Sequence, residues 1–495
     1  MTCLQPRNLT MMTDLYQLTM MYGYFKHGMT QNEAVFDLFF RERENSAYAM
    51  MAGTESVVEY INNLHFTEDD IAYLRSLNLF DEAFLSMLLE LRFTGEIYAM
   101  KEGTVVFPYE PLLRVKAPIM QAQLVETALL NLVNHQTLIA TKASRVAYAA
   151  QGDEVMEFGL RRAQGPDAGI YGARAAVIGG CSGTSNVFTG QMYNVASGSI
   201  FGVPVGGTHA HSWVMSFPSE LDAFRAYAET FPAACTLLVD TYDTLRSGVP
   251  NAITVFNELK AKGYKPVGIR LDSGDLAYLS KRARAMLDEA GHSDVKILAS
   301  GDLDETVIRD LKAQGAKIDI WAVGTKLITS LDCPALGGVY KMAAEIVDGK
   351  LIPKIKLSEN VVKMTNPGYK KVLRLYTKCG MALADLIALE GEEIDATKPL
   401  RIYHPEQSYK TKVLRDFTVR EMLVPIFIDG KQVYELPSIE EIRAYAQKEL
   451  ATFWEEYRRL LNPHVYKVDM SDGLYDLKQK LIRENKKQND EEIKA

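Results

Sequence analysis

The sequence predicts an α/β protein in which an irregular parallel βα barrel stands beside an α+β domain formed from the N- and C-terminal segments. Three observations predict it. Apolar runs beginning at Cys235, Val267, Val295 and Ile318 alternate with helical segments and start about 23 to 32 residues apart, the size of one βα unit. Those runs are nearly continuously apolar, as strands covered on both faces must be. The first 120 and last 150 residues instead mix helices with short strands that have no such alternation. No GxGxxG opens the first βα unit, which counts against a doubly wound dinucleotide fold.

With 495 residues the chain exceeds one ordinary core, and 47% hydrophobic with 24% charged residues is a globular balance. The expected organisation is an N-terminal α+β domain (1–120) completed by part of the C-terminal segment and followed by a linking helix (121–150). The barrel with the site follows (151–345), then a mixed C-terminal segment (346–482) and a charged tail (483–495). A net charge of −8 excludes nonspecific nucleic-acid binding, which needs a basic surface. Five scattered cysteines without a CxxC pair predict free thiols and a cytoplasmic setting. No apolar run approaches the ~18 residues of a membrane span, and no leader pattern opens the chain.

In chain order, Thr13 and Asp14 open a first helix whose Leu15, Leu18 and Tyr22 are expected on a core, with Tyr16 one residue off that stripe. Residues 34–40 read as a strand enclosing one charge, Asp37. Three helical segments fill 53–91, three short strands fill 96–118, and a Gly- and Pro-free helix runs from 121 to 150. The barrel begins with a strand at 154–158, a loop through Arg161 and Arg162, and a helix at 168–178. Residues 201–205 read as a further strand. Helices at 251–262, 275–289 and 304–314 follow the strands listed above. Beyond them, 337–346, 351–356 and 372–376 are strand-like, 380–388 helix-like, and 438–461 a charged amphipathic helix. The last thirteen residues, nearly devoid of apolar side chains, are expected to fray.

A parallel barrel carries its chemistry on the loops after its strands. Those loops present Arg161 and Arg162, Thr208 to Ser212, Asp240, Arg270 and Asp272, Ser300-Gly301-Asp302, and Gly324-Thr325. Glycines at the last two turns free backbone N–H groups to point at a phosphate. Arg161 and Arg270 either clamp a carboxylate or phosphate or pair with a neighbouring Asp. Asp272 and Asp302 either hold Mg²⁺ through water or cap the helices that follow.

Two of only eight histidines, His209 and His211, sit in the block Gly206-Gly207-Thr208-His209-Ala210-His211-Ser212. Imidazole accepts protons or phosphoryl groups near neutral pH. A zinc hydrolase would need more histidines at later strand ends. The other six (His27, His65, His135, His292, His404, His464) lie elsewhere, which disfavours that chemistry. A non-enzymatic scaffold leaves the clustered arginines and glycines unexplained.

Six blocks in one order carry a resemblance: residues 13–17 (TDLYQ), 159–167 (GLRRAQGPD), 207–212 (GTHAHS), 270–275 (RLDSGD), 323–325 (VGT) and 336–341 (LGGVYK). Together they resemble the nicotinate phosphoribosyltransferase family. The resemblance implies a type II phosphoribosyltransferase fold. It also implies an ATP-dependent ligase joining nicotinate to phosphoribosyl pyrophosphate, releasing pyrophosphate, with Mg²⁺, ATP as co-substrate and a homodimer. Carried over, His211 is the phosphohistidine. Tyr16, Arg161, Thr208 and Arg270 contact nicotinate or its carboxylate, Tyr16 by stacking from the other subunit. Ser300, Gly301, Asp302, Gly324 and Thr325 meet the phosphoribosyl phosphates. Asp240 or Asp272 orients the histidine or the Mg²⁺. His209 receives no role, and the loop at Ser300 departs from the family's asparagine-containing form.

Overall fold

The computed structural model describes residues 7–41, 47–196, 202–358, 364–407 and 409–492. The chain divides into two compact units, one of Ile139–Pro334 with Ser438–Arg443, the other of Thr2–Leu138, Ala335–Pro437 and Ala444–Ala495.

The first unit is built on six parallel strands. Their spatial order is Gly183–Thr184, Glu154–Glu157, Ile320–Val323, Lys296–Ala299, Gly268–Leu271, Thr236–Leu238. Helices Val249–Ala261, Leu276–Glu289 and Glu305–Ala313 follow the successive strands, as the alternation requires. Ile269, Leu271, Ile297, Ala299, Trp321 and Val323 are fully buried, which accounts for the unbroken apolar runs. Asp275 and Asp304 cap the last two helices through the backbone N–H groups of Tyr278 and Val307. Asp272 and Asp302 are thereby free of the capping duty considered for them.

The unit expected to run over 151–345 ends at Pro334, because Gly338–Val347 pairs with Glu33–Phe40 in the second unit, and one segment within it also differs from expectation. Phe201 lies outside the described residues, and Val205 makes a single parallel bridge to Thr184 in place of a full strand. Between this segment and the edge strand Thr236–Leu238 the ladder is replaced by side chains. The Thr208 hydroxyl donates to the Thr236 carbonyl, and the Leu238 N–H donates to His209 Nε2 at 3.2 Å. This seam is why the barrel is irregular.

The second unit holds a seven-stranded antiparallel sheet that interleaves both chain ends. Its order is Lys350–Pro353, Gly338–Val347, Glu33–Phe40, Leu113–Pro118, Glu96–Met100, Leu423–Ile428, Lys431–Gln432. Helices Leu15–Lys26, Thr54–Asn62, Glu68–Ser76 and Glu82–Glu90 pack their buried residues into its core. Asp37, the charge inside a strand, meets Lys370 at 2.7 Å with both side chains buried. A further six-stranded sheet runs Thr411–Leu414, Leu400–Tyr403, Val468–Met470, Ala382–Leu389, Lys370–Thr377, Phe417–Glu421.

Four readings are corrected here. Residues 380–388 are expected to be helical, but Ala382–Leu389 form a strand because the turn at Gly380 (φ +87°) folds them antiparallel onto Lys370–Thr377; tertiary pairing overrides local propensity. The helix expected over 438–461 stops at Ala451 and resumes only for Glu455–Arg458. The terminal stretch does not fray at residue 483, since helix Asp472–Glu492 continues through it. In the first helix Asp14, not Thr13, is the cap residue, and Leu15 is 49% exposed, while Gln17, Leu18 and Met21 form the buried stripe.

Candidate active site

The strand ends of the first unit enclose a cleft of about 560 Å³. Arg161, Arg270, Asp272, Ser300, Gly301, Asp302, Gly324 and Thr325 line it, together with Phe158, Leu160, Arg162, Ser185 and Ala322. Eight of the twelve residues singled out from the sequence therefore meet in one place. His211 and Asp240 adjoin it through Asp272, Thr208 is not among the lining residues, and Tyr16 belongs to the second unit, 49% exposed on its helix.

Arg270 sits at the middle of a strand whose neighbours Ile269 and Leu271 face the other way, into the apolar layer. Its Nε donates to the Ser300 hydroxyl at 2.8 Å, and Nη2 to Asp272 Oδ1 at 2.7 Å. The Ser300 hydroxyl also donates to that carboxylate oxygen. Burial alone would raise the Asp272 carboxyl, but the Ser300 hydroxyl and Arg270 guanidinium outweigh it and hold it below the usual range. Of the two outcomes considered for Arg270, the pairing with a neighbouring Asp is the one present. It is ion-paired, and Nη1 has no partner among the described residues.

His211 is the first residue of the short helix His211–Met215. Its Nδ1 lies 3.1 Å from the Thr241 hydroxyl. Its Nε2 lies 3.9 Å from Asp240 Oδ1 and 3.8 Å from Asp272 Oδ2. Asp240 Oδ2 accepts from the Asp272 N–H and the Ser273 hydroxyl, while its buried Oδ1 has no hydrogen-bond partner. The ring is 39% exposed and open to a reactant.

His209 is different in kind. It is 7% exposed, wedged against Tyr227 (4.8 Å between ring centroids) and Phe224, and accepts the Leu238 N–H. Burial lowers its pKa to about 4, so the ring is neutral near pH 7 and acts as a structural acceptor.

The loops expected to bind anions line the same cleft. Gly301 has φ +94°, and a Cβ there would stand 2.3 Å from the Asp272 carbonyl oxygen, so only glycine lets this turn pass. Gly324 precedes Thr325 at a second turn, where a Cβ would crowd the Phe158 carbonyl at 3.1 Å. Arg161 and Arg162 project from the turn Leu160–Arg162 with exposed side chains, and neither guanidinium has a protein partner among the described residues. Thr208 is turned the other way, its hydroxyl donated to the seam.

Sequence reading missed Phe158 and Glu157. Phe158 is the one aromatic side chain lining the cleft among the described residues, with the Arg270 guanidinium 6.0 Å from its centroid. Its position at the end of the first barrel strand was the available signal. Glu157 is fully buried and accepts from the Gly159 N–H and the Thr184 hydroxyl, which ties the Phe158 turn to the edge of the sheet. Burial raises its carboxyl, with those two donors partly offsetting the effect.

Residues 11–134 match the model of the nicotinate phosphoribosyltransferase N-terminal domain, and residues 369–478 that of its C-terminal domain. The nicotinate phosphoribosyltransferase of Bacillus subtilis (strain 168) is 48% identical over 489 residues, covering 98% of each chain. That of Dictyostelium discoideum is 37% identical, covering 94% of this chain and 87% of its own. The crystal structure of human nicotinic acid phosphoribosyltransferase superposes with a TM-score of 0.82 at 31% identity, covering 95% of this chain and 99% of the other. The chain belongs to the nicotinate phosphoribosyltransferase family.

Proposed function

We propose that the protein makes nicotinate mononucleotide and pyrophosphate from nicotinate and phosphoribosyl pyrophosphate, a salvage step towards NAD, and couples it to ATP hydrolysis through a phosphohistidine at His211. The observation that carries this reading is the Asp272 carboxylate, which touches the imidazole on one side and the arginine of the anion cleft on the other.

In this reading the pyridine nitrogen forms a bond to C1 of the ribose as the bond from C1 to the pyrophosphate oxygen breaks. Positioning and charge stabilisation of the departing pyrophosphate are the protein's contribution. Arg161 and Arg162, exposed on the rim and without a partner among the described residues, suit the phosphates, and the N–H groups at Gly301 and Thr325 suit the phosphoribosyl end. The flat ring of Phe158 suits stacking on the pyridine, with Arg270 Nη1 left for its carboxylate. That pairing favours nicotinate over its uncharged amide.

No cluster of three metal-ligating side chains occurs among the described residues. The exposed carboxylate of Asp302 on the cleft would hold, through water, a Mg²⁺ carried by the pyrophosphate of the substrate, and such an ion would supply charge to offset that of the leaving group.

Energy coupling follows from His211. A ring nitrogen forms a bond to the γ-phosphorus of ATP as ADP leaves, and water later cleaves that N–P bond to give phosphate. While present, the phosphoryl group adds negative charge to a ring whose other edge faces Asp240 and Asp272, and so draws Arg270 and the rim arginines inward. The exposed Leu15, Tyr16 and Met20 of the first helix support a homodimer in which Tyr16 reaches a partner's pyridine site. Cys181, Cys235 and Cys379 are free thiols, and no described helix is long and apolar enough to cross a membrane. A cytoplasmic enzyme fits the thiols.

The deciding experiment is incubation with γ-labelled ATP and acid-labile phosphate mapping, alongside nucleotide synthesis with and without ATP. His211 is expected to carry the label, and His211→Ala to keep a weak ATP-independent synthesis while losing all stimulation. Equal stimulation in the variant removes His211 from the coupling.

A further inference from the structure

The loop after the edge strand Thr236–Leu238 brings two side chains to His211 from opposite sides. Thr241 stands at Nδ1, 3.1 Å away. Among the described residues its hydroxyl has no other hydrogen-bond partner. Asp240 stands at the far edge of the ring with Asp272, both near 3.9 Å from Nε2. Asp240 Oδ1 is buried and lacks a partner, although its twin oxygen holds two donors.

These surroundings are not symmetric for a proton. Two carboxylate oxygens facing Nε2 attract an N–H there and repel a bare lone pair. A buried acceptor without a donor is costly, so Asp240 Oδ1 adds to the same preference. With the proton on Nε2, Nδ1 is the acceptor, and the Thr241 hydroxyl must be the donor. A threonine suits this better than a freely turning hydroxyl, because its branched Cβ restricts χ1.

We propose that Thr241 is a positioning residue for His211: its hydroxyl donates to Nδ1, holding the ring so that Nε2–H faces Asp240 and Asp272 while Nδ1 keeps the reactive lone pair. The inference rests on the reading of His211 as phosphoryl acceptor. In the step itself the Nδ1 pair forms the bond to the γ-phosphorus as the bond to the bridging oxygen of ADP breaks. The proton stays on Nε2, facing the two carboxylates. The Thr241 hydroxyl, released from Nδ1, turns to donate to a phosphoryl oxygen. Water then cleaves the N–P bond, phosphate leaves, and the pair returns to Nδ1.

Thr241→Val keeps the shape and removes the donor, whereas Thr241→Ser keeps the donor and removes the methyl. The tautomer of His211 is read by nitrogen-15 NMR on histidine-labelled protein without ATP, His211→Ala assigning the signal. Single-turnover labelling from γ-labelled ATP gives the rate of phosphoenzyme formation. The wild type is expected to hold the Nε2–H tautomer. Thr241→Val should form phosphoenzyme about tenfold or more slowly, with a mixed tautomer and an unchanged KM for ATP, and Thr241→Ser should recover most of the rate. An Nδ1–H tautomer in the wild type, or a Val variant with wild-type tautomer and rate, overturns the assignment. A wild type that takes no label on His211 defeats the phosphohistidine reading instead, and the tautomer comparison still decides whether Thr241 holds the ring.

Discussion

His211 and Arg270 meet the two oxygens of one carboxylate: Nε2 of the imidazole lies 3.8 Å from Asp272 Oδ2, and Nη2 of the guanidinium 2.7 Å from Oδ1. A change of charge on the ring must alter the pull on Asp272 and so the set of the arginine. Asp272→Asn weakens both ends of that link while keeping its size. The variant is expected to retain ATP-independent synthesis and to lose about tenfold or more of the stimulation by ATP. Initial rates with and without ATP measure it, and full stimulation in the variant would show that coupling takes another route.

Arg161 has no partner among the described residues, so its removal should cost binding and not folding. Arg161→Ala is expected to raise the KM for phosphoribosyl pyrophosphate about tenfold or more, since a charged hydrogen bond contributes roughly 1.5–3 kcal/mol. Its melting temperature should match the wild type. Steady-state kinetics and calorimetry check the two halves, and a variant that loses stability in proportion to activity contradicts the assignment.

Gly301 tolerates no side chain. Gly301→Ala places a methyl 2.3 Å from the Asp272 carbonyl at φ +94°, and such backbone strain costs about 1–3 kcal/mol. The turn and Asp272 should shift together, with loss of synthesis as well as a lower unfolding midpoint. Wild-type kinetics in this variant would show that the turn does not serve the phosphoribosyl end.

His209 is neutral in the fold, with its pKa depressed to about 4, against about 6.5 in an unfolded chain. Between these values the unfolded state binds the extra proton, so stability falls as pH drops through that window and is complete above it. His209→Phe fills the aromatic pocket but strands the Leu238 N–H. It should lose about 1–3 kcal/mol at pH 7 and flatten the pH dependence between 4 and 6.5. Denaturant melts across that range test both, and an unflattened slope points to another group.

Phe158→Leu keeps the apolar volume and removes the flat face. Its KM for nicotinate should rise severalfold, as the loss of an aromatic contact of roughly 0.5–1.5 kcal/mol implies, while its KM for phosphoribosyl pyrophosphate stays. Titration with nicotinate decides.

Most of the barrel was legible because parallel strands buried on both faces write themselves as apolar runs, and a lone charge such as Arg270 inside one stands out. The residues at the C-terminal ends of those runs then fall together by geometry alone. What could not be read depended on partners distant in sequence. Residues 380–388 look helical until Lys370–Thr377 is laid beside them, and Leu15 looks internal until the helix is turned onto Gln17 and Met21. Phe158 was overlooked because a Phe at the end of an apolar strand is indistinguishable from core. The different tasks of His209 and His211 were likewise invisible, since one imidazole meets a backbone N–H of residue 238 and the other carboxylates at 240 and 272.

The seam at Thr208 and His209 bears on how damage to this enzyme would show itself. By occupying the Thr236 carbonyl and the Leu238 N–H, those side chains deny the outermost strand to any foreign chain seeking a backbone to pair with. Changes at 208 or 209 should therefore register first as clumping and poor yield, and a dead lysate from such a mutant says nothing about phosphoryl chemistry until the soluble fraction has been weighed.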